Sequence, residues 1–424
     1  MTTLLTPLLT AWKRRLVGIL IAVLMVGCGG ESGVSGPPDG GGSKLRPGLT
    51  ATVGVEPEAS ALAQTLGWTS GVPNAEVRIH RFGTDFAWET VLTDALGVAR
   101  FPDAIAGRYR VAAYRPLTGS EVAQVGGAAR AFGDGFIMDV GGSTEATLRL
   151  NPTQPGSLVI SEVYATAPFV AEVNYDFHMF FELYNNSDQT IFLDGLIFGT
   201  TLGLPEIDAT FTCAESEPLR NDPDGVWAHF LHRFPGSGGE HPLAPGGVAV
   251  VALDAVDHSM VDSRFPDLSG ADFELFGSAD VDNPDVPNLP EVGVEPFQLG
   301  HGLRFFIGRT LFLAKGVDIS TLERFVLVGG SNLEFVKLPT QMLIDVVETG
   351  KNDALEEQRF DICGRLVHRN FDRLEGGFIM HGRDLTFSVQ RLVIGTVNGR
   401  DILQDTNTSA VDLVRARFTP GSVR

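Results

Sequence analysis

The chain has 424 residues, 50 of them Gly and 24 Pro, with 43% hydrophobic residues, 20% charged residues and a formal charge of −20. That acidic balance excludes a generic nucleic-acid binder, which needs a basic footprint. No apolar run is long enough to cross a bilayer as a helix. Abundant Gly and Pro among 28 Phe and many Val and Leu suit numerous short strands joined by turns, and the length allows two ordinary cores.

At the N-terminus, Lys13, Arg14 and Arg15 precede an apolar run from Leu16 to Gly27. The run is too short to span a membrane and has the length of a signal-peptide core. It ends in Leu24-Met25-Val26-Gly27-Cys28, which resembles the bacterial lipobox, with Met25 at the position usually held by Leu. That resemblance implies a lipid on Cys28 after removal of residues 1–27; the alternative is a plain secretory signal with a chance cysteine. Residues 28–47, rich in Gly, Ser and Pro, read as a flexible tether. Gly29 is not the aspartate associated with inner-membrane retention, so an outer-membrane lipoprotein is expected, with either leaflet open. Cleavage removes three basic residues and no acids, taking the charge from −20 to −23. Such a body is repelled by anionic membranes, so the lipid is expected to hold it there. Cys213 and Cys363 remain, 150 residues apart. Pairing in an oxidising compartment would stabilise by about 5 kcal/mol in the loop-entropy model, and two separate thiols are equally compatible with the sequence.

From about 48 to 151 the pattern is strand and turn. Ala75–His80 alternates apolar and polar residues. Thr90–Phe101 follows, with Asp94 and Gly97 at the first and fourth places of a type I turn. Ala106–Tyr114 and Thr144–Leu150 read as further strands. Gly71-Val72-Pro73-Asn74-Ala75-Glu76-Val77, Thr93-Asp94-Ala95-Leu96-Gly97 and Gly107-Arg108-Tyr109 resemble the carboxypeptidase regulatory-like domain. The resemblance implies a transthyretin-like β-sandwich with no catalytic residues of its own. Turn chemistry accounts for Asp94 without a ligand or an acid role.

From about 156 to 424, strands are expected at Leu158–Tyr164, Phe180–Tyr184, Ile191–Phe198 and Val248–Ala252. A hairpin is expected from Phe325–Val328 and Leu333–Leu338, and a short helix from Asp254 to Ser263 with Asp254 as its cap. Ile160-Ser161-Glu162, Glu182-Leu183-Tyr184-Asn185, Leu193-Asp194-Gly195 and Leu243-Ala244-Pro245-Gly246 resemble the lamin-tail domain, which implies an immunoglobulin-like sandwich. Phe181–Thr190, Asp282–Asn288 and Ile402–Asn407 are similar to a family of bacterial surface lipoproteins known as domain of unknown function 4876. That likeness implies location and architecture, and brings no activity and no catalytic residues.

Candidate chemistry is sparse. His229, His232 and His241 lie close in sequence, but a strand from Trp227 to Phe234 sends His229 and His232 to opposite faces, so surface histidines are expected rather than a zinc site. Residues 267–295 hold eight acids and no Lys or Arg. Asp280–Asp285 misses the EF-hand spacing because Pro284 and Asp285 occupy the fifth ligand and glycine places, so a solvated acidic loop is expected. Nucleophile elbows, zinc-protease helices and phosphate loops are missing from the sequence.

The expected architecture is all-β, with two β-sandwich domains after the signal peptide and tether. The expected function is a non-enzymatic, lipid-anchored envelope module that binds a surface ligand or envelope protein, accessory to uptake or adhesion. No cofactor, metal or nucleic acid is expected. A hydrolase with its site in the 200–300 loops is the alternative, motivated by the His and acid content there.

Overall fold

The computed structural model describes residues 47–423 apart from 82–88, 154–155, 167–168, 171–172, 176, 202–218, 220–221, 223, 229, 276–281, 293–309, 328–332, 352–378 and 382–384. Cys28, Cys213, Cys363, His229 and Asp280 lie outside the described residues. The chain is mostly strands arranged in several sheets, an all-β fold.

The first seven strands are β1 (Leu49–Val55), β2 (Glu76–Arg81), β3 (Glu89–Leu92), β4 (Val98–Phe101), β5 (Gly107–Pro116), β6 (Ala131–Val140) and β7 (Glu145–Thr153). Their order is β3-β2-β5-β6-β7-β1-β4. β7 turns the corner: Glu145–Leu150 run parallel to β1, whereas Asn151–Thr153 pair with the start of β6. The two halves enclose a core that includes Val53, Val77, Phe101, Val111, Phe132 and Leu148. Asp94 takes the amides of Leu96 and Val98 on Oδ1, at 2.9 and 3.0 Å, which closes the expected turn. These amides hold its carboxyl below the usual carboxylate range. Gly97 has φ +75°, and a Cβ there would lie 2.5 Å from Val53 O. A Cβ on Gly71 would lie 2.2 Å from Leu96 O, so the two glycine motifs pack backbone to backbone. Strand β6 was not expected, because Gly133, Asp134 and Gly135 interrupt its alternation; ten register pairs with β5 form it regardless.

The second set is built around a six-stranded sheet in the order Phe273–Glu274, Val248–Ala252, Phe180–Asn185, Leu158–Tyr164, Phe387–Arg391, Leu413–Arg417. Its inner face supplies Ile160, Val163, Phe181, Leu183, Val251 and Val389 to one core. That core also takes Phe198, Leu311, Leu313 and Val347 from a five-stranded sheet that contains Ile197–Thr200, Thr310–Ala314 and Leu343–Lys351. The hairpin expected near 325–338 forms from Arg324–Leu327 and Leu333–Pro339.

Two expectations need correction. The helix from Asp254 shrinks to one 3-10 turn, His258–Met260, capped by Asp257 rather than Asp254. The Asp257 carboxylate accepts the Ser259 amide and hydroxyl, and an Asx turn of this kind suffices without a longer helix. The single strand over 227–234 is two strands, Gly225–Ala228 and Phe230–Arg233, which pair with different sheets.

The two sets meet at residues 402–412. Val411 packs with Ala112, Tyr114 and Ala131, and Arg78 Nη1 donates to Val411 O at 3.3 Å. A Cβ on Gly133 would lie 2.8 Å from Thr406 Cβ, so the glycine that weakens β6 makes room for the second set.

Candidate functional site beneath the C-terminal segment

Strand alternation puts Phe180, Glu182 and Tyr184 on the outer face of the six-stranded sheet, opposite the core-facing Phe181 and Leu183. Across the strands, Val250, Glu182, Glu162 and Gln390 stand in one register row. Two glutamates are therefore direct cross-strand neighbours, a placement that is unfavourable for like charges. Both are almost fully buried, at 2% exposure for Glu162 and 1% for Glu182. A bulge falls here: Leu183 pairs with Ile160 while Glu182 pairs with Glu162, leaving Ser161 as the extra residue.

The cover is residues 418–423. Thr419 donates its amide to Glu162 Oε1 at 3.2 Å and its hydroxyl to Oε2 at 3.3 Å. The Gly421 amide reaches Glu182 Oε1 at 2.6 Å. Thr419-Pro420-Gly421-Ser422 is a β-turn closed by Ser422 N to Thr419 O at 2.9 Å, with Gly421 at φ +81°, a conformation Gly adopts without the cost of a Cβ. Phe418 lies 5.1 Å from the Tyr164 ring, and Val423 packs beside Val159, Tyr184 and Leu403. Among the described residues no Lys, Arg or His pairs with either glutamate. Burial pushes both carboxyls well above the ordinary Glu range, and the Glu162 charge pushes Glu182 further. A cavity of about 10 Å³ lies between the pair and the cover, lined also by Ser161, Gln390, Arg391 and Ser422.

Beside the cover, a cleft of about 410 Å³ opens, with Tyr184, Gly246, Asn398, Arg400, Asp401 and Ser422 among its walls. One wall is the turn between the Val393–Val397 and Arg400–Leu403 strands, with Asn398 and Gly399 at φ +52° and +78°, followed by Arg400 and Asp401. Two positive φ values make a type I′ turn, for which Asn-Gly is the favoured pair. Tyr184 donates its hydroxyl to Asp401 O at 2.7 Å. The Asn186 amide pairs with both backbone groups of Leu403, each at 3.0 Å. Gly246, from the Leu-x-Pro-Gly turn, lets the Arg400 stem lie against the backbone, where a Cβ would meet Arg400 Cγ at 2.8 Å.

The inner face of the same sheet carries the opposite arrangement. Arg391, next to Gln390, is buried and donates to Asp345 through Nη2 at 2.8 and 2.9 Å. Its Nη1 lies 3.3 Å from both Asp405 and Asp412, and Nε donates to Ile160 O at 2.9 Å. Asp412 also accepts the Thr406 amide and hydroxyl, each at 2.8 Å. The Gln404-Asp405-Thr406 run thus belongs to a buried ion cluster. Burial still raises Asp345 and Asp412, partly offset by Arg391.

The other singled-out residues hold loops. His232 is buried, with Nδ1 3.2 Å from Leu289 O, and His241 is half-buried with its amide on Asp194, so neither is the surface histidine expected. Asp194 gathers the amides of Gly238, Gly239, Glu240 and His241. Desolvation works to raise its carboxyl, but these amides outweigh it and hold it far below the usual range. The acidic segment is dispersed onto the backbone. Asp267 caps Ser269, Asp272 accepts the Val250 amide, and fully buried Glu274 accepts the amides of Ala255 and Asn283. Asp282 accepts from Asn288 Nδ2 at 2.7 Å.

A histidine pair the sequence reading missed is buried nearby. His178 stacks on Phe265 at 4.1 Å and bonds Thr166 at 2.9 Å, while His258 bonds Tyr175 at 2.8 Å and Asp254 O at 2.9 Å. Burial pushes them down to about 3 and about 4. Neither they nor the glutamate pair were legible beforehand, because 80 residues separate His178 from His258 and alternation alone does not reveal what covers an outer face.

The chain is thus an all-β, multi-sheet protein whose outer sheet face is closed by its own C-terminal segment. A family described as a protein of unknown function (DUF4876) matches residues 244–419. A solved structure of a DUF4876 family protein from Bacteroides thetaiotaomicron VPI-5482 is similar at 16% identity and TM-score 0.48, over 87% of this chain and 94% of the other. The curated proteins contain no match.

Proposed function

We propose that the chain is a lipid-anchored protein of the bacterial cell envelope that works as a non-enzymatic binding or structural module, accessory to outer-membrane uptake or adhesion. The cleft of about 410 Å³ carries this reading. Its walls are a hairpin turn, the Pro245–Gly246 turn and the C-terminal segment, all held on a packed sheet, and loops on a rigid sheet scaffold are a common place for recognition. Its polar groups include Arg400, Asp401 and Ser422, which suit a polar ligand such as a glycan or an extended peptide. The basic N-terminal residues, the short apolar run and Cys28 support the anchor.

Two measurements test the reading. Fractionation of cells that express Cys28→Ser is expected to move the protein out of the membrane fraction, because a body with a formal charge of −23 after cleavage is repelled by an anionic membrane surface. Retention of the mutant in the membrane overturns the anchor. Screening purified protein against glycan and envelope-peptide arrays is expected to give a ligand whose retention is lost in both Arg400→Ala and Asp401→Ala. Turnover of a captured ligand overturns the non-enzymatic part.

A further inference from the structure

We propose that residues 418–423 are a latch set by the proton on Glu182: the segment stays seated while that carboxyl is protonated, and loss of the proton to solvent releases it. Gly421, Ser422 and Val423 are also walls of the cleft, so the same proton regulates the cleft. That second step rests on the envelope-module reading; the latch itself does not. The strand pairing ends with Phe387 opposite Arg417, so residues 418–423 lift without breaking a strand pair.

The surroundings distinguish the two carboxylates. Glu162 accepts the amide and hydroxyl of Thr419 and the side chains of Ser388 and Gln390, donors that suit an anion. Glu182 takes the Gly421 amide, which belongs to the cover itself. Its charged neighbours are Glu162, directly across the strands, and Asp272, which accepts the Val250 amide on the next strand; both disfavour a further negative charge. Tyr164 and Tyr184 have their hydroxyls on the carbonyls of Leu385 and Asp401. Arg391 lines the cavity, but its guanidinium donates to Asp345, Asp405, Asp412 and Ile160 O on the inner face. The buried pair therefore carries one charge more easily than two, and burial keeps Glu182 protonated where an exposed Glu is ionised. A protonated carboxyl still accepts from Gly421. An ionised one is better solvated by water, and water reaches it when the cover lifts. The seated state binds the proton more tightly than the lifted state, so lifting is favoured as pH rises above the ordinary Glu range.

Hydrogen exchange of the full-length chain from about pH 6 to about pH 10, with each rate divided by that of unstructured peptide at the same pH, tests the latch. The opening constant of residues 418–423 is expected to rise by up to about 10-fold per pH unit, the signature of one proton released, while Thr310–Ala314 in the inner core is unchanged. Glu182→Gln, which keeps a neutral acceptor for Gly421, is expected to remove the rise. Glu162→Gln is expected to weaken it without removing it, because the burial of Glu182 remains. The latch is overturned if corrected exchange of the cover is independent of pH, if Glu182→Gln follows wild type, or if the inner core opens in step with the cover. Glycan and envelope-peptide arrays run at both ends of that range test the second step. Retention that depends on Arg400 is expected to fall several-fold at the alkaline end in wild type and to persist in Glu182→Gln. Equal retention at both ends overturns the coupling. An array that retains nothing at either end overturns the cleft reading and the coupling with it, and the exchange result alone then decides the latch.

Discussion

The two faces of the strand Phe387–Arg391 solve the same electrostatic problem in different ways. Inward, Arg391 faces Asp345, Asp405 and Asp412, and one guanidinium satisfies buried carboxylates from three separate segments. Outward, Glu162 and Glu182 have backbone amides, the Thr419 and Ser388 hydroxyls and the Gln390 amide instead of a cation. The inner cluster is a finished ion network. The outer pair is incomplete in charge, and it depends on a segment that can be removed without cutting the core. Buried carboxylates therefore do not carry one meaning in this protein: their partners decide whether they hold the fold or leave a place for an occupant.

The largest effect expected is from Arg391→Met. It strands three buried carboxylates, so urea unfolding should show a loss of about 3–5 kcal/mol. A loss under about 1 kcal/mol would mean that the inner cluster is no more committed to the fold than the outer pair.

Acid should come next, through the outer side of the sheet, where His178 and His258 are buried and desolvation outweighs the nearby carboxylates of Asp257, Asp262 and Asp267. Their folded values of about 3 and about 4 lie below the ordinary 6.5. Their contribution is complete above pH 6.5 and is lost as pH falls from there toward those values. Between pH 6.5 and 5 the loss should be about 2–4 kcal/mol. His178→Phe with His258→Gln should flatten that slope in a pH series of denaturation midpoints. The glutamate pair has the opposite sign. Its raised carboxyls contribute fully below the ordinary Glu range, and that contribution is lost as pH climbs above it.

Stopping the chain after Arg417 should cost about 2–3 kcal/mol, since it removes the Thr419 and Gly421 amides from the carboxylates. Hydrogen exchange should then rise along Phe180–Asn185 and Leu158–Tyr164 while the inner core stays protected. Protection lost equally on both faces would end the contrast between them.

The smallest effect should be Glu182→Gln. The amide oxygen still accepts from Gly421, and the like charge beside Glu162 is gone, so stability should stay within about 1 kcal/mol of wild type. The alkaline loss should shrink in the same variant. A large loss at neutral pH would show that Glu182 acts as a charged anchor, as Arg391 does.

Much of the local structure was legible because local chemistry decides it. Leu158–Tyr164 and Val248–Ala252 form as expected, since apolar β-branched runs bounded by turn residues have few alternatives. Asp94 closes its turn from its own side chain, and the Gly97 conformation belongs to Gly. Where several segments compete the reading failed. Strand β6 has two glycines and an aspartate near its centre, and only its partner β5 makes it a strand. The segment 227–234 looks continuous, yet its halves are drawn to different sheets. Strand alternation over 227–234 separates His229 from His232 and predicts surface histidines, but the His232 ring meets a carbonyl inside.

The sequence by itself determined the all-β class, the turns and the acidic balance, because these follow from residue type and from spacings of a few positions. The tertiary structure alone decided which motif residues come together. Glu162 and Glu182 are 20 residues apart, yet both are roughly 240–260 residues from the Thr419 and Gly421 amides that hold them. Arg391 lies 46 residues from Asp345 and only 14 and 21 from Asp405 and Asp412, and none of these spacings marks a cluster. The physical reason is that an outer sheet face takes whatever segment can satisfy its buried polar groups. Here that segment is residues 418–423, whose Thr419 and Gly421 amides meet the two carboxylates.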